Sequence, residues 1–319
     1  MDLALANVAV QRTPAVVQVA GERASYRFLE FFAAQVRNAN TRRSYMRAVS
    51  DFMGWLDHRG VVDIREINSF VVAAYVEELQ RRHPAPTVKQ RLAGVRAMLD
   101  WLATGGIIAF NPATAVRGPR YSVKTGKTPV LAPDEARQLL DSIDVSTTVG
   151  LRDKALIGLM VYSFARIGAA VGMKAEDVYV QKRRLWVRLH EKGGKRHEMP
   201  CHHSLERYLS DYMEHAEMAS SPQAWLFQTI GRGTGRLSGN PMPQASAYQM
   251  VQRRAEATGI ATKIGNHTFR ATGITAYLSN GGTLEKAASM ANHASTRTTQ
   301  LYDRRSGDIT LDEVERILI

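Results

Sequence analysis

The stretch NHTFRATGITAYLSNGGTLEKAASMANHASTRTTQLYDRR, residues 266–305, decides how this chain is read. It gathers two histidines, several arginines and Tyr302 at spacings that fit helices. Thr268 is a candidate helix cap, and Asn280-Gly281-Gly282 is a candidate stop. His267 and Arg270 then lie one turn apart at a helix start, where free backbone N–H groups favour an anion. Taken alone, that pair reads more readily as a cap and a surface arginine. A second helix from Thr283 stops near Asn292-His293, and Ser295 or Thr296 caps a third that carries Tyr302. A lone histidine or tyrosine is usually structural. Tyr302, however, sits among Arg297, Arg304 and Arg305, which is not core-like company.

Transesterification at a phosphodiester would unite these groups. A phenol titrates near pH 10, so it attacks phosphorus only beside cations. Paired arginines hold non-bridging oxygens by charge-assisted hydrogen bonds, and a lysine or histidine protonates the leaving oxygen. The chemistry therefore requires a second arginine and a lysine upstream. Arg166, after the apolar helix 151–162, and Lys192, in the turn of HEKGGKRHEMP, are the candidates, with Lys195 as an alternative acid and a candidate DNA contact.

Composition agrees with a polyanionic partner. The chain has 319 residues, a net charge of +12 and one cysteine, Cys201. That count excludes an intrachain disulfide framework and a cysteine-rich zinc site. The longest apolar run, 155–165, is about half of the ~20 residues a membrane-spanning helix needs. The first residues lack a signal-peptide pattern, so a cytoplasmic protein is expected. Double-stranded DNA is the expected partner, with no membrane and no cofactor.

Residues 1–21 read as a loose arm or an extended strap. Apolar spacing then predicts helices over 22–36, from an Asn40-Thr41 cap, over 64–82, and over 88–103 after a Thr87 cap. Residues 22–110 are thus an all-helical basic domain. Its Arg42, Arg43, Arg47, Lys89, Arg91 and Arg96 are candidate phosphate contacts, or else a solvated face. Residues 111–129 form a linker with no acidic residue, and its Arg117, Arg120, Lys124 and Lys127 are candidate DNA contacts. Residues 130–319 form a mixed domain: helices, short strands at 178–180 and 185–189, a third strand ending at Met199-Pro200, a Gly/Ser/Pro-rich loop over 231–243, and a terminal helix from Thr310. The fold class is mainly α with a small antiparallel β-sheet.

Two weaker clusters are set aside. Cys201-His202-His203 reads as a helix entry or surface, and GRGTGR at 231–236 lacks the Gly-Lys-Ser/Thr of a phosphate loop. His197 reads as a surface residue.

His-Thr-Phe-Arg at 267–270, Ala-Asn-His-Ala-Ser at 291–295 and Thr-Thr-Gln-Leu-Tyr at 298–302 resemble the active-site signature of the tyrosine recombinases, or phage integrase family, of the Xer type. The resemblance spans nearly the whole chain. It implies a helical core-binding domain and a mixed α+β catalytic domain. It further implies Tyr302 as nucleophile forming a 3′-phosphotyrosyl link, Arg166 and Arg270 clamping the phosphate, and Lys192 as general acid. His267 would assist proton transfer and His293 would bond the phosphate. It implies a homotetramer on two DNA sites, strand exchange through a Holliday junction, and a terminal helix docked on a neighbouring protomer. The alternatives are a type IB topoisomerase-like enzyme and a non-catalytic DNA-binding member. Two departures stand out: Ala169 where the family usually has an acidic residue, and Phe164 where it usually has glycine.

Overall fold

A computed structural model describes residues 13–123, 126–191 and 194–304. Lys124, Lys192, Arg305 and the helix expected from Thr310 lie outside the described residues. The chain divides into two compact units, 1–122 and 123–319.

The first unit is helical. Its elements are α1 (Ala15–Gln18), α2 (Glu22–Glu30, continued by a π-helical turn over Phe31–Gln35), α3 (Ala39–His58), α4 (Ser69–Arg82) and α5 (Ala85–Thr104). The start of α3 is fixed by Asn38, whose side chain accepts from Asn40 and Thr41 N–H, two residues before the Asn40-Thr41 cap that was expected. Asn68 does the same for α4, which splits the expected helix 64–82 into a 3₁₀ turn at Ile64–Glu66 and α4 itself. Pro84 precedes α5, and Thr87 lies inside the helix rather than capping it. The predicted apolar faces meet in one core built on Phe31, Phe52, Leu56, Leu92, Leu99 and Leu102. Two edges of the unit differ from expectation. Residues 15–18 form a helical turn whose Val16 and Val17 are buried, rather than an extended strap. Residues 113–116, read as linker, dock on this core, with Arg96 bonded to the Ala113 and Val116 carbonyls.

The second unit begins its helices with α6 (Pro133–Asp141), α7 (Thr148–Tyr162) and the short α8 (Ile167–Ala170). A three-stranded antiparallel sheet follows: β1 (Val178–Gln181), β2 (Arg184–Glu191) and β3 (Lys195–Pro200), in that order. In the β2–β3 register Glu191 opposes Lys195. Then come α9 (His203–His215), β4 (Gln228–Ile230), β5 (Leu237–Pro241), α10 (Gln244–Ala257), α11 (Asn266–Ser279), α12 (Leu284–Met290) and α13 (Thr296–Gln300). The β4–β5 hairpin corrects the expected loop over 231–243, and GRGTGR is its turn, with Gly233 and Gly235 at positive φ. His202 caps α9 through Nδ1, as a helix-entry residue.

From Ala155 to Met160 helix α7 is buried on all sides, and α9 and α11 both pack on it. Gly158 lets Tyr208 of α9 approach; an added Cβ would lie 2.8 Å from its ring. Gly273 of α11 does the same for the α7 end, where a Cβ would meet the Val161 carbonyl oxygen at 2.0 Å and the Phe164 ring at 2.9 Å. The first contact sets the approach of α9 to α7; the second sets the depth of α11, and with it the position of His267 and Arg270.

Candidate active site

Arg270 lies on the inner face of α11 and is 1% exposed. It is therefore not the surface residue that the local pattern suggested. No carboxylate bonds it among the described residues. Nη1 donates to the Phe164 carbonyl, and Nη2 donates to the Ala291 carbonyl at 2.5 Å and to His293 Nε2 at 2.7 Å. Burial, followed by the charge of Arg166, pushes its pKa down to about 10, which still leaves it cationic at neutral pH. Carbonyl partners orient a guanidinium without cancelling its charge. The site thus keeps a fixed positive charge in a poorly solvated place.

The Phe164 carbonyl is aimed by an unusual backbone. Phe164 has φ of 53° and is 3% exposed. A bulky aromatic residue in the left-handed region is strained, and this is where the family usually has glycine. Here the ring packs with Ile274, Leu278, Ala287 and Ala291 in a small core beneath Tyr302, against the gap left by Gly273. That packing offsets the strain.

His293 is delivered by a helix end. Asn292 takes φ of 46° just past α12, which turns the chain inward, and the His293 N–H bonds the Ala288 carbonyl at 2.9 Å. Because Nε2 accepts from Arg270, Nδ1 carries the proton and donates to Thr299 Oγ1 at 2.8 Å. Burial, then Arg270 and Arg166, pushes the His293 pKa down to about 4, so the ring is neutral. His267, in the first turn of α11, is lowered by the same causes: loss of water around the ring, then Arg270, then Arg166. Its ring nevertheless remains exposed at the mouth of the site. Thr268 is in that first turn too, rather than capping it; its Oγ1 accepts the Gly265 N–H.

Tyr302 sits two residues beyond α13, not on it. Its ring stacks on His293 with centroids 5.9 Å apart and planes 12° apart. Its side chain lies near Arg270, where it works against the lowering of that guanidinium's pKa. The backbone is held on both sides: Tyr302 N–H donates to the Thr299 carbonyl, and Thr275 Oγ1 of α11 donates to the Tyr302 carbonyl at 2.8 Å. Gly126 N–H bonds the Leu301 carbonyl at 2.9 Å, and Arg304 donates to the Gly126 and Thr128 carbonyls. Residues 126–128 therefore strap the tyrosine segment, a role beyond that of a tether.

Arg166 follows Phe164 and precedes α8; its Nη1 donates to Glu191 Oε2 at 2.6 Å. His197, expected on the surface, is half-buried and Nε2 bonds the Met290 carbonyl at 2.9 Å, tying β3 to the end of α12. Thus Arg166, Arg270, His267, His293 and Tyr302 converge. Sequence reasoning missed Thr275, Thr299, Glu191 and His197. A polar residue on an otherwise buried helix face, as with Thr275, was the one available signal. Lys195 is exposed at the start of β3.

Of the expected DNA contacts, Arg43, Arg47, Lys89, Arg117, Arg120 and Lys127 are exposed. Arg42, Arg91 and Arg96 are half-buried and have partners inside the first unit: the Val36 carbonyl, Asp51, and the Ala113 and Val116 carbonyls. Among the described residues no group of three His, Cys, Asp or Glu is placed to hold a metal, and no helix is long and apolar enough to cross a membrane.

The phage integrase family profile matches residues 129–307, and the profile of its N-terminal SAM-like domain matches 26–106. Tyrosine recombinase XerD of Corynebacterium glutamicum is 28% identical over 288 residues, covering 88% of this chain and 91% of the relative. XerD of Mycobacterium leprae is 29% identical over 285 residues, covering 83% and 86%. The fold is similar to XerH site-specific recombinase bound to palindromic difH substrate, with a TM-score of 0.67, 17% identity and 93% and 89% coverage. It is similar to the same degree, TM-score 0.67 and 17% identity, to lambda integrase residues 75–356 bound as a dimer to a core site, covering 89% and 96%. With both of its units matched and the tyrosine, arginine and histidine cluster assembled, the chain belongs to the phage integrase family and is a tyrosine-type site-specific DNA recombinase.

Proposed function

We propose that this recombinase cuts and rejoins duplex DNA through Tyr302. The observation that carries the reading is Arg270: a buried guanidinium bonded to no carboxylate among the described residues, held by the His293 ring on which Tyr302 stacks. Such a charge is costly to bury and is repaid when an anion enters. Arg270 and Arg166 hold the non-bridging oxygens of the scissile phosphate. The Tyr302 oxygen attacks phosphorus and the 5′ oxygen departs, leaving a 3′-phosphotyrosine. The DNA bond energy is kept in that ester, and reversal by a 5′ hydroxyl rejoins the strand.

His267, neutral and open to the site, takes the phenolic proton. Lys192 is assigned to protonate the leaving oxygen, with Lys195 as the alternative. His293 and Thr299 hold Arg270 in register. The exposed basic residues Arg43, Arg47, Lys89, Arg117, Arg120 and Lys127 neutralise DNA phosphates, and Lys124 is assigned with them. Solved relatives include a lambda integrase tetramer bound to a Holliday junction, which supports a tetramer on two sites and strand exchange through that junction. The curated relatives are recombinases, which disfavours the topoisomerase-like and binding-only alternatives. Because the chain acts on DNA, a cytoplasmic setting is part of this reading, and so is mobilisation of a DNA element.

The test is covalent capture. Wild-type protein is mixed with a pool of nicked duplexes of randomised sequence, and denaturant-resistant adducts are sequenced. The expected result is a convergent site. Tyr302→Phe is expected to bind that site and form no adduct. An adduct with Tyr302→Phe, or none with wild type on any duplex, would overturn the reading.

A further inference from the structure

The structure assigns Glu191 as the positioning residue of Arg166, supplying from the end of β2 the carboxylate that position 169 lacks; this rests on the recombinase reading of the site. Three observations carry it. Ala169 is 5% exposed and packs in the apolar core, so no acidic group stands there. Its N–H bonds the Arg166 carbonyl at 2.9 Å, which places position 169 one turn along from Arg166. Glu191, twenty-five residues further on, has a side chain 4% exposed and receives Arg166 Nη1 at 2.6 Å.

A carboxylate this buried is costly unless a cation meets it. Among the described residues Arg166 is the cation paired with Glu191. The Arg166 side chain is 36% exposed, so one edge is pinned while the other stays open to an anion. The strand end is itself fixed, because Glu191 opposes Lys195 in the β2–β3 register. Short α8 packs on β2, so the two partners sit on directly apposed elements. Glu191 also immediately precedes Lys192, the assigned general acid.

The opposite possibility is that Glu191 occupies Arg166 and shields it from phosphate. The two differ in sign. The experiment uses full-length protein and the nicked duplex selected by covalent capture, with single-turnover adduct formation and duplex binding measured separately. Positioning predicts that Glu191→Ala forms adduct about 10²-fold more slowly with binding unchanged, because a small misplacement of a clamping group costs about that much. Glu191→Gln, which keeps shape and an acceptor oxygen, loses less. Adding Ala169→Asp to Glu191→Ala restores rate. Adduct formation at the wild-type rate in both single variants overturns the proposal, and faster formation establishes shielding instead and also overturns it.

Ala169→Asp puts a charge into packed core, so it is read together with a measurement that needs no such variant. In protein labelled with 15N-arginine, the Arg166 side-chain signal is expected to show restricted rotation in wild type and release in Glu191→Ala. An unchanged signal overturns the pairing. This readout needs no DNA, so it reports on Glu191 even if wild type forms no adduct and the recombinase reading fails.

Discussion

Two buried arginine sites in the catalytic unit look alike by composition and differ in one respect. Between α7 and α10, Arg152 is 4% exposed and donates from Nε and Nη2 to Asp153 Oδ1. Arg254 donates to Asp153 Oδ2 at 2.7 and 3.1 Å, and Arg152 Nη1 reaches the Gln228 carbonyl. Around α11, Arg270 is buried just as deeply but meets two carbonyls and a neutral imidazole. In the first knot one buried carboxylate is shared by two arginines, so the fully buried Arg152 has its counter-charge inside the protein and serves packing. The second keeps its charge for something not part of the protein. Burial alone therefore does not mark a functional arginine; the missing counter-charge does. Arg166 stands between the two, half-open and held by one carboxylate.

The largest expected effect falls on the structural knot. Asp153→Ala strands two arginines, one of them fully buried, and is expected to cost about 3–5 kcal/mol of stability. Urea denaturation measures it, and adduct formation per folded molecule should be unchanged. If that variant instead loses catalysis with stability intact, the knot belongs to the site and the contrast collapses.

Next in size is Arg270→Lys. A point charge cannot hold two carbonyls, His293 and a phosphate in one plane. Loss of a charge-stabilising donor costs about 10²–10³ in rate, read as single-turnover adduct formation. A stability loss of about 1–3 kcal/mol is expected beside it, because buried acceptors lose a donor but no carboxylate is left unpaired. A large stability loss with normal catalysis would place Arg270 with Arg152.

The smallest effect concerns pH. The folded protein keeps His293 neutral down to about pH 4, whereas an unfolded histidine takes its proton near 6.5. Below 6.5 the unfolded state binds more protons, so stability is expected to fall as pH drops from 6.5 towards 4 and to be fully present above that window. Lowered His267 adds in the same direction. Denaturation midpoints at pH 7.5 and 5 test this, and His293→Gln should shrink the difference. Equal differences in the two proteins would remove His293 from the cause.

Much of this was legible in the chain because the signals are local. Apolar faces at helical spacing gave α3, α5 and α7, and the histidines, Arg270 and Tyr302 fall within one stretch of 36 residues, 267–302. Caps slipped where two candidates adjoin, as with Asn38 against Asn40-Thr41. The β4–β5 hairpin was hidden because β4 is only three residues long and β5 is rich in Gly, Ser and Pro, with no alternating pattern. Glu191 and His197 could not be found, because their partners lie 25 and 93 residues away and no periodicity links them. Phe164 was visible only as an odd residue. Its strained backbone, aimed carbonyl and fit against Gly273 are tertiary facts.

The most direct measurement is peptide mapping of the adduct by mass spectrometry. Wild-type protein trapped on its nicked site is digested, and the nucleotide-bearing peptide is sequenced. The account predicts a single modified residue, Tyr302, carrying a 3′-linked nucleotide. A nucleotide on any other side chain, or a 5′ linkage at Tyr302, would contradict it.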